Sequence, residues 1–548
     1  MTAPIRSAGR RRAVRALLAL AWSAACVHGT ARAALDSAVR DALAPASPLA
    51  RGVPEAVHRA VADAWAAAGH APRYVEPAPP WRATALARET VDALGDAAAR
   101  GLDAQAYGAA AWRAALDAPR DEAGAARLEA GLALAFGRHL ADAGFGRVDP
   151  RTLGHDLPSR RRAEALGPAV RAAIDSPTAA IALDAVEPAL PTYRALRDSL
   201  PEWRRRAAGP AAVPLPPLPA SRSKVVPGDA WAGVDALRAR LRDEGELEPD
   251  APSTPGRLDA AASDALRRFQ ARHGLDADGV LGAATLAALQ VPATARVRQI
   301  ELTLERLRWI GPTPQGRWIA VNIPEYRLWA IEAGRVALTM PVVVGRAVSG
   351  TPVFVDAVEA VEVNPYWNVP RSIASKELYP KLANDPGWLA REHMELVGGT
   401  VGGEVRGEAL RRALAWGAVR LRQRPGPDNA LGRVKLVMPN VHDVYLHDTP
   451  AKSLFARSRR DFSHGCIRLG EPLALASFVL AGRPEGAPEA LRAAIDAGAN
   501  RSLRVAQPVP VLIFYATVNV GDDGRLRFVP DVYGHDARLD AALRALPR

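Results

Sequence analysis

Apolar residues recur at helical spacing over most of the first third of the chain. Between residues 34 and 208 they are mostly Ala and Leu, as in Glu129–Phe136, and Gly and Pro interrupt the pattern at intervals. This spacing predicts an all-helical N-terminal scaffold domain over 34–208. Residues 209–228 then carry six prolines, a density that predicts an extended linker.

A compact helical unit is predicted after the linker, at residues 229–292. Its Ala265–Leu275 stretch is amphipathic, because Leu266 and Phe269 fall on one face of a helix. Asp278-Gly279 is a typical turn sequence, and further apolar residues with helical spacing follow it. The pattern therefore predicts a small helical domain with a glycine turn.

The pattern changes to β-rich runs beyond a helical connector predicted at 293–311. Gly and Pro turns separate these runs, which lie at Trp318–Ile323, Tyr326–Ile331, Val336–Val344, Val353–Val363, Val434–Met438 and Val509–Val518. A largely helical insertion is predicted at 371–431. Together the elements predict a multi-domain α+β fold, in which residues 312–548 form a mostly β domain with a helical insertion.

Composition narrows the classes of protein that fit this pattern. A chain of 548 residues is too long for one hydrophobic core, and its 49% of apolar residues excludes a disordered protein. The formal net charge of +12 does not favour a nucleic-acid partner, because six arginines stand in the first 33 residues and the others are interspersed with Asp and Glu.

The opening segment, residues 1–33, has the pattern of a cleaved secretory signal peptide. A basic stretch ends at Arg15, an apolar run covers Ala16–Val27, and small residues follow at Ala31 and Ala33. Arg10–Arg12 also fits a twin-arginine signal, and Ser23–Cys26 resembles a lipoprotein cleavage site in which Ser23 stands in place of the usual Leu. No later segment approaches the ~20 apolar residues of a membrane span, so the sequence predicts export to the periplasm.

Cysteine usage becomes informative once this segment is set aside. The chain has two cysteines, and Cys26 lies within the predicted signal peptide. Cleavage would leave Cys466 as a lone thiol in an oxidising compartment, where a cysteine without a disulfide partner is a liability unless it has a use. The sequence thus favours a functional thiol at 466.

Two histidines stand close to this cysteine in the sequence. His447 ends the stretch His442–His447, and His464 lies within Ser463-His-Gly-Cys466. A catalytic thiol needs a base within hydrogen-bond reach, and imidazole can take the thiol proton near neutral pH. The residues alone leave the choice between His447 and His464 open.

These motifs resemble the YkuD-type L,D-transpeptidase catalytic domain, in its long periplasmic YcbB-like form. The family pattern is a His, a gap of under twenty residues, and then Ser/Thr-His-Gly-Cys with an apolar residue and Arg; here it is His447 and Ser463–Arg468. The 229–292 unit resembles the three-helix peptidoglycan-binding domain. Matching stretches lie at Val363–Arg371, Lys435–Asn440, Tyr445–Pro450, Phe269-Gln270, His273–Leu275, Asp278-Gly279, Gly282 and Thr285-Leu286.

The resemblance implies a role for each motif residue. Cys466 would attack the carbonyl of the third residue of a wall stem tetrapeptide and expel D-Ala, with His447 as the base. Backbone N–H groups around His464, Gly465 and Cys466 would hold the oxyanion. The resemblance also implies a lid at 371–431, no organic cofactor and no metal. Substrate-binding roles fall to Arg468, Tyr445 and Ser463.

The resemblance also implies the partners. These are peptidoglycan stem peptides and glycan strands, with other cell-wall synthases as candidates and no nucleic acid; the oligomeric state stays open. One departure is Leu469, where many short relatives carry Asn.

Three other functions compete with this interpretation. An L,D-carboxypeptidase would pass the same thioester to water, and a non-catalytic wall-binding scaffold would use residues 229–292 alone. A metal hydrolase could draw ligands from His442, Asp443, His447, Asp448 and His464. The metal hydrolase is disfavoured, because a five-residue spacing on a strand points His442 and His447 to opposite faces.

Overall fold

The structure is a computed structural model that describes residues 30–118, 120–159, 163–210, 213–385, 387–398 and 407–546. The predicted signal peptide lies almost entirely at residues 1–29, outside these ranges, and so does Cys26. Residues 30–42 form helix α1. Within the described ranges, no helix combines the length and the apolarity that crossing a membrane requires.

The N-terminal region is helical, as its apolar spacing predicts. Its α-helices are α1 (30–42), α2 (Glu55–Ala67), α3 (Ala85–Gly95), α4 (Ala109–Leu116), α5 (Glu122–Phe145), α6 (Ala163–Asp175), α7 (Ala179–Val186) and α8 (Pro191–Ala208). Short 3₁₀ turns lie at Pro48–Ala50, Asp96–Arg100, Ala104–Tyr107 and Pro150–Leu153. Helix α5 is buried on nearly all sides by the others, which is why its apolar residues continue around the helix instead of forming one stripe.

A second, smaller core belongs to the unit after the proline-rich segment. It contains β1 (Lys224–Val225), α9 (Val234–Asp243), α10 (Ala260–Arg272), β2 (Leu281–Gly282) and α11 (Ala283–Leu289). Leu266 and Phe269 of α10 are buried together in this core, as the amphipathic pattern predicts. Leu215 of the proline-rich segment is buried there as well, and Trp231 Nε1 donates to the carbonyl of Pro217 at 3.2 Å. The segment is therefore extended but packed against the unit.

The C-terminal half contains most of the strands. They are β3 (Trp318–Asn322), β4 (Arg327–Glu332), β5 (Arg335–Gly345), β6 (Phe354–Val363), β7 (Trp367–Asn368), β8 (Met394–Val397), β9 (Arg420–Gln423), β10 (Val434–Val437), β11 (Leu446–His447), β12 (Asp461–Ser463), β13 (Ile467–Leu469), β14 (Arg501–Phe514), β15 (Val518–Val520) and β16 (Leu526–Phe528).

The helices of this half are mostly short. They are α12 (Ala293–Trp309), α13 (Arg371–Ile373), a π-helical turn (Ala374–Leu378), α14 (Tyr379–Asn384), α15 (Trp388–Arg391), α16 (Gly407–Trp416), α17 (Pro472–Val479), α18 (Pro488–Asp496) and α19 (His535–Arg544). Further 3₁₀ turns lie at Ala347–Ser349, Lys452–Ala456 and Pro484–Gly486. The elements confirm the predicted multi-domain α+β fold class, with a helical N-terminal region and a mostly β domain.

Nine strands form one sheet in the order β12-β5-β13-β11-β10-β6-β14-β3-β4. The sheet closes on itself because β5 is long: its first half pairs with β4, and its second half pairs with β13 and β12. Apolar side chains of the closed sheet share a core with α17 and α18. The closure places the loop between β12 and β13 at the end of β5.

The insertion contains more than the predicted helices. Helices α13 to α16 surround a small core of their own, and β7, β9 and β8 form a three-stranded antiparallel sheet beside them. The prediction of a largely helical insertion therefore missed this sheet. Its strands have two to four residues each, too few for an alternating pattern to be recognised in the sequence.

Helices α8 and α12 join the N-terminal region to the β domain. Tyr193 and Leu200 of α8 are buried in the same core as Leu304 of α12 and the sheet residues. The buried carboxylate of Glu305 accepts the backbone N–H of Val148 at 2.9 Å. The two regions are thus joined by a shared apolar core and a buried hydrogen bond.

The small helical unit is attached to the hairpin β15–β16. Arg272 donates to the carbonyl of Leu526 at 3.2 Å, and Arg525 donates to the buried Glu246 carboxylate at 3.1 Å. The Phe528 ring of the hairpin stacks on His273 with the centroids 5.9 Å apart. These contacts fix the unit against the β domain.

Candidate active site

Two of the predicted site residues, His447 and Arg468, lie on the neighbouring parallel strands β11 and β13. The register places Leu446 opposite Ile467 and His447 opposite Arg468. Because side chains alternate along a strand, His447 and Arg468 point to the same side of the sheet. Tyr445 and Cys466 stand just before these two strands. The pairing of the strands extends to Tyr445, whose carbonyl accepts the Ile467 N–H at 3.1 Å.

His447 is buried, with 4% of its surface exposed. Its Nδ1 lies against the backbone carbonyl of Asp448; since a carbonyl only accepts, Nδ1 carries the proton of the neutral ring and Nε2 keeps its lone pair. Burial and the positive charge of Arg468 lower the pKa of His447 to about 3. The imidazole is therefore neutral at physiological pH, with its lone pair on Nε2.

Asp448 holds the backbone that orients this imidazole. Its carboxylate accepts the N–H groups of Arg433 at 2.8 Å and Thr449 at 2.7 Å, and it lies against the Lys452 ammonium. Its own N–H donates to the Val434 carbonyl at 2.8 Å. The carbonyl that fixes the His447 tautomer is thus itself held in place.

Cys466 is half-buried and is the free cysteine of the described residues. Its thiol donates to the Asp443 carbonyl at 3.7 Å. Burial raises the pKa of the thiol, whereas hydrogen bonding by Tyr445 and the charge of Lys435 lower it. Within the described residues the thiol has no hydrogen bond to His447, and catalytic hydrogen bonds often tighten only when substrate binds.

Tyr445 and Lys435 form the side of the site next to the thiol. The Tyr445 ring lies 5.6 Å from the His447 ring, and the Lys435 ammonium lies 4.8 Å from the Tyr445 ring centre. Lys435 also pairs with Glu362 at 3.3 Å. Burial and the neighbouring Cys466 raise the pKa of Tyr445, so its hydroxyl is neutral and can act as a donor.

The loop between β12 and β13 is shaped by Ser463 and Gly465. The Ser463 hydroxyl donates to the Cys466 carbonyl at 2.6 Å and accepts the Gly465 N–H at 3.1 Å. Gly465 has a φ of +127°, a conformation that side-chain-bearing residues rarely adopt. The Ser463 hydroxyl therefore holds the loop, although the sequence suggested that it binds substrate.

This arrangement changes the expected set of oxyanion donors. The Gly465 N–H, which the sequence offered as one, is engaged by Ser463. Among the residues that the structure describes, the N–H groups of His464 and Cys466 have no acceptor. These two groups are the candidates to bind an oxyanion.

Residues far away in sequence support the loop from behind, and the sequence analysis missed them. Thr351 Oγ1 donates to the Gly465 carbonyl at 2.7 Å and accepts the Gly345 N–H at 2.9 Å. The Tyr533 hydroxyl accepts the Thr351 N–H at 3.2 Å and donates to the Gly345 carbonyl. Single Thr and Tyr residues give no local signal of such a role.

Arg468 has the environment of an anion-binding group. Its Nε is buried without a hydrogen-bond partner, and burial lowers its pKa while the nearby Cys466 opposes that shift. Within the described ranges its guanidinium forms no ion pair, neither with Glu471, the acid three positions further along the chain, nor with another carboxylate. A charged group left unpaired in this way is costly unless a ligand completes it.

His464 is turned toward the insertion. Its Nε2 lies 2.8 Å from the Glu377 carboxylate of the π-helical turn and also contacts Arg346. The structure thus separates the two histidines of the motif: His447 lies beside Arg468 on the sheet, and His464 meets charged residues at the edge of the insertion.

The histidine nearest to this pair in sequence, His442, lies elsewhere. Its Nε2 contacts the Asp156 carboxylate at 3.2 Å, and its ring packs 5.0 Å from Phe354. In the part of the chain that the structure describes, no three His, Cys, Asp or Glu side chains converge as they would around a metal ion.

Family models match three parts of the chain. Residues 316–488 match the L,D-transpeptidase catalytic domain of the YkuD family. Residues 59–200 match a scaffold domain, and residues 232–289 match a domain described as "Putative peptidoglycan binding domain". The resemblance found in the sequence motifs is therefore confirmed for the catalytic and the peptidoglycan-binding units.

The chain is also similar to individual proteins. It is 32% identical over 253 residues to a Haemophilus influenzae protein described as "Putative L,D-transpeptidase", over 45% of this chain and 49% of that one. The chain thus spans about half the length of this curated relative.

Two solved structures are similar over part of the chain. An L,D-transpeptidase from Xylanimonas cellulosilytica is 17% identical, with 55% of this chain and 100% of that chain covered and a TM-score of 0.18. An L,D-transpeptidase from Mycobacterium smegmatis is 16% identical, with 37% and 60% covered and a TM-score of 0.19. TM-scores this low do not bear on the fold of the whole chain.

Proposed function

We propose that this protein is an L,D-transpeptidase that remodels peptidoglycan through a thioester on Cys466. The observation that carries the proposal is the position of Cys466 directly before β13, the strand that pairs with β11 and its buried His447, whose Nδ1 is fixed by the Asp448 carbonyl. That tautomer leaves Nε2 free to take the thiol proton.

The first half of the reaction forms the acyl-enzyme. His447 accepts the Cys466 proton, and the sulfur attacks the carbonyl carbon of the third residue of a stem tetrapeptide. The N–H groups of His464 and Cys466 bind the resulting oxyanion. The intermediate then expels D-Ala, whose amine takes the proton back from His447, and a thioester remains.

The second half transfers the acyl group. An amine on the third residue of a neighbouring stem attacks the thioester carbon and loses its proton to His447. The thiolate leaves and recovers that proton. Arg468 supplies a positive charge for a carboxylate of the stem peptide, because its guanidinium has no carboxylate partner among the described residues.

We further propose that the protein works in the periplasm after removal of residues 1–33. Domains that act on peptidoglycan suggest a place outside the cytoplasm, and the glycan strands and stem peptides of the wall are its proposed partners. Other cell-wall synthases remain candidate partners.

Mass spectrometry of the intact protein tests the thioester. Incubation with a synthetic stem tetrapeptide should add the mass of the tripeptide acyl group to Cys466 and release D-Ala, and incubation with ertapenem should add one drug molecule at the same residue. Product peptides joined through the third residues indicate a transpeptidase, and free tripeptide alone indicates the carboxypeptidase. Folded protein with neither adduct would favour a non-catalytic wall-binding scaffold.

The conformation of Gly465 leads to a second expected result. In Gly465→Ala the added Cβ has space, since its nearest neighbour would be the Ser349 carbonyl at 3.9 Å. A φ of +127° nevertheless costs a side-chain-bearing residue about 1–3 kcal/mol. The loop should relax and move its N–H donors, so kcat for D-Ala release should fall by about 10²–10³-fold.

Gly316→Ala is the matched control for this variant. Gly316 lies in an open part of the chain before β3, with no atom within 4 Å of an added Cβ and no left-handed φ. Its kcat should equal that of the wild type. Wild-type kcat in Gly465→Ala would show that the loop conformation does not position the donors.

A further inference from the structure

Three charged or titratable side chains meet where the insertion touches the Cys466 loop. Arg346 follows β5, His464 belongs to the loop, and Glu377 lies in the π-helical turn Ala374–Leu378. Nε2 of His464 lies 2.8 Å from Oε1 of Glu377, and a guanidinium nitrogen of Arg346 lies 3.5 Å from the same oxygen. The insertion thus places one carboxylate on two groups of the catalytic domain.

The hydrogen bonds of this cluster cannot all be satisfied at once. His464 Nε2 needs a proton to donate to Glu377, but it needs a lone pair to accept from Arg346, which it also contacts. If Nε2 carries a proton, Arg346 finds no acceptor there; if Nε2 carries a lone pair, Glu377 finds no donor there. Arg346 and Glu377 are each 45% exposed, and ion pairs this exposed add little to stability. Another carboxylate could therefore replace that of Glu377 at small cost.

The cluster is connected to the loop that carries the reacting sulfur. His464 is two residues before Cys466, so their Cα atoms are at most about 7 Å apart. The Arg346 N–H donates to the Ser463 carbonyl at 3.0 Å, which ties Arg346 to the same loop. Both groups that contact Glu377 are therefore attached to the backbone that carries the nucleophile.

We propose that Arg346 and His464 form a carboxylate-binding subsite, which Glu377 occupies in the free enzyme and which the C-terminal carboxylate of the donor peptide takes over. This inference rests on the proposed function. The leaving D-Ala carries its carboxylate one residue beyond the attacked carbonyl, so the subsite for that carboxylate has to lie close to the Cys466 loop, where Arg346 and His464 stand. Guanidinium groups bind carboxylates with favourable planar geometry. Arg468 then serves another carboxylate of the stem.

Two probe peptides separate this subsite from general effects on the enzyme. One is a synthetic stem tetrapeptide ending in free D-Ala, and the other is the same peptide ending in D-alaninamide. Release of D-Ala or D-alaninamide, followed by mass spectrometry, gives kcat and KM for each. Arg346→Gln should raise KM for the free acid about tenfold or more and leave kcat within about threefold. For the amide, KM should be the same in the variant and the wild type.

The opposite change is expected when the internal carboxylate is removed. Glu377→Gln should lower KM for the free acid severalfold, because the peptide carboxylate no longer competes with Glu377, and it should leave KM for the amide unchanged. Arg411→Gln and Glu408→Gln are matched controls, since these residues pair with each other on α16 at similar exposure. Both controls should have wild-type kinetics with both peptides.

The outcomes distinguish the subsite from the proposed function. An equal change in KM for acid and amide in Arg346→Gln, or a raised KM for the acid in Glu377→Gln, would overturn the subsite while leaving the transpeptidase intact. Wild-type enzyme that releases product from neither peptide would instead remove the proposed function. If Arg346→Gln lowers the melting temperature markedly, the Glu377→Gln comparison alone decides.

Discussion

Replacing Cys466 with Ala is expected to reduce the release of D-Ala from a stem tetrapeptide by at least about 10⁴-fold. The sulfur is the proposed nucleophile, and no other thiol is present among the described residues to replace it. Without it the thioester cannot form, although the oxyanion donors and Arg468 remain. The rate is measured by mass spectrometry of the released D-Ala, and the missing acyl adduct is checked on the intact protein.

Stability and binding must be unchanged for this result to identify a nucleophile. Cys466 is half-buried, and its thiol donates a weak hydrogen bond to the Asp443 carbonyl at 3.7 Å. The variant should therefore lose less than about 1 kcal/mol of unfolding free energy and still bind the tetrapeptide. A large drop in melting temperature would mean that Cys466 is a packing residue, and retained turnover would mean that another group is the nucleophile.

His447→Gln is expected to reduce the acylation rate of Cys466 by about 10²–10⁴-fold at neutral pH. Gln keeps a polar side chain of similar length, but its amide nitrogen has no basic lone pair that can accept the thiol proton. The remaining reaction depends on spontaneous ionisation of a thiol whose pKa is raised by burial. Its rate should rise about tenfold per pH unit below that pKa, whereas the wild-type rate should depend less on pH. Stopped-flow measurement of acylation by ertapenem between pH 6 and about 9 compares the two.

His442→Gln is the control for this variant. His442 is five residues away and is also an imidazole beside a carboxylate, but its contacts are with Asp156 and Phe354. Its acylation rate and pH profile should match the wild type. The assignment of the base would be wrong if His442→Gln and His447→Gln had equal effects, or if the His447→Gln profile were parallel to that of the wild type.

The sequence predicts the reacting residues of the site better than it predicts the residues that surround and hold them. Cys466 and His447 can be found because a thiol and a base occur in a recognisable local pattern, and the strands that hold them are apolar runs. Glu377 and Arg346 lie 87 and 118 positions before His464, the residue they contact. Their meeting depends on the tertiary fold, and an isolated Glu or Arg in the sequence is most often a solvated surface residue.

Strand β14 shows the same limit of prediction from the sequence. The sequence predicts this strand from Val509, but it begins at Arg501 and pairs with β6 along both halves. Pro508 and Pro510 suggest a break, since proline cannot donate to a sheet. The structure accommodates them with a register shift between Arg504 and Val509, a bulge of the kind that keeps a strand continuous across residues unfit for regular pairing.

The attachment of the 229–292 unit to the β domain affects which stem peptides of a bound glycan strand could reach Cys466. Leu215 and the contacts of Arg272 and Arg525 hold the unit in place, so its distance from Cys466 is not set by a fluctuating tether. A glycan strand bound to the unit would present its stem peptides at a constant effective concentration. Under the proposed function, the stems within reach would be those at one distance along the strand, and the protein's own dimensions would set the spacing of the links between stems.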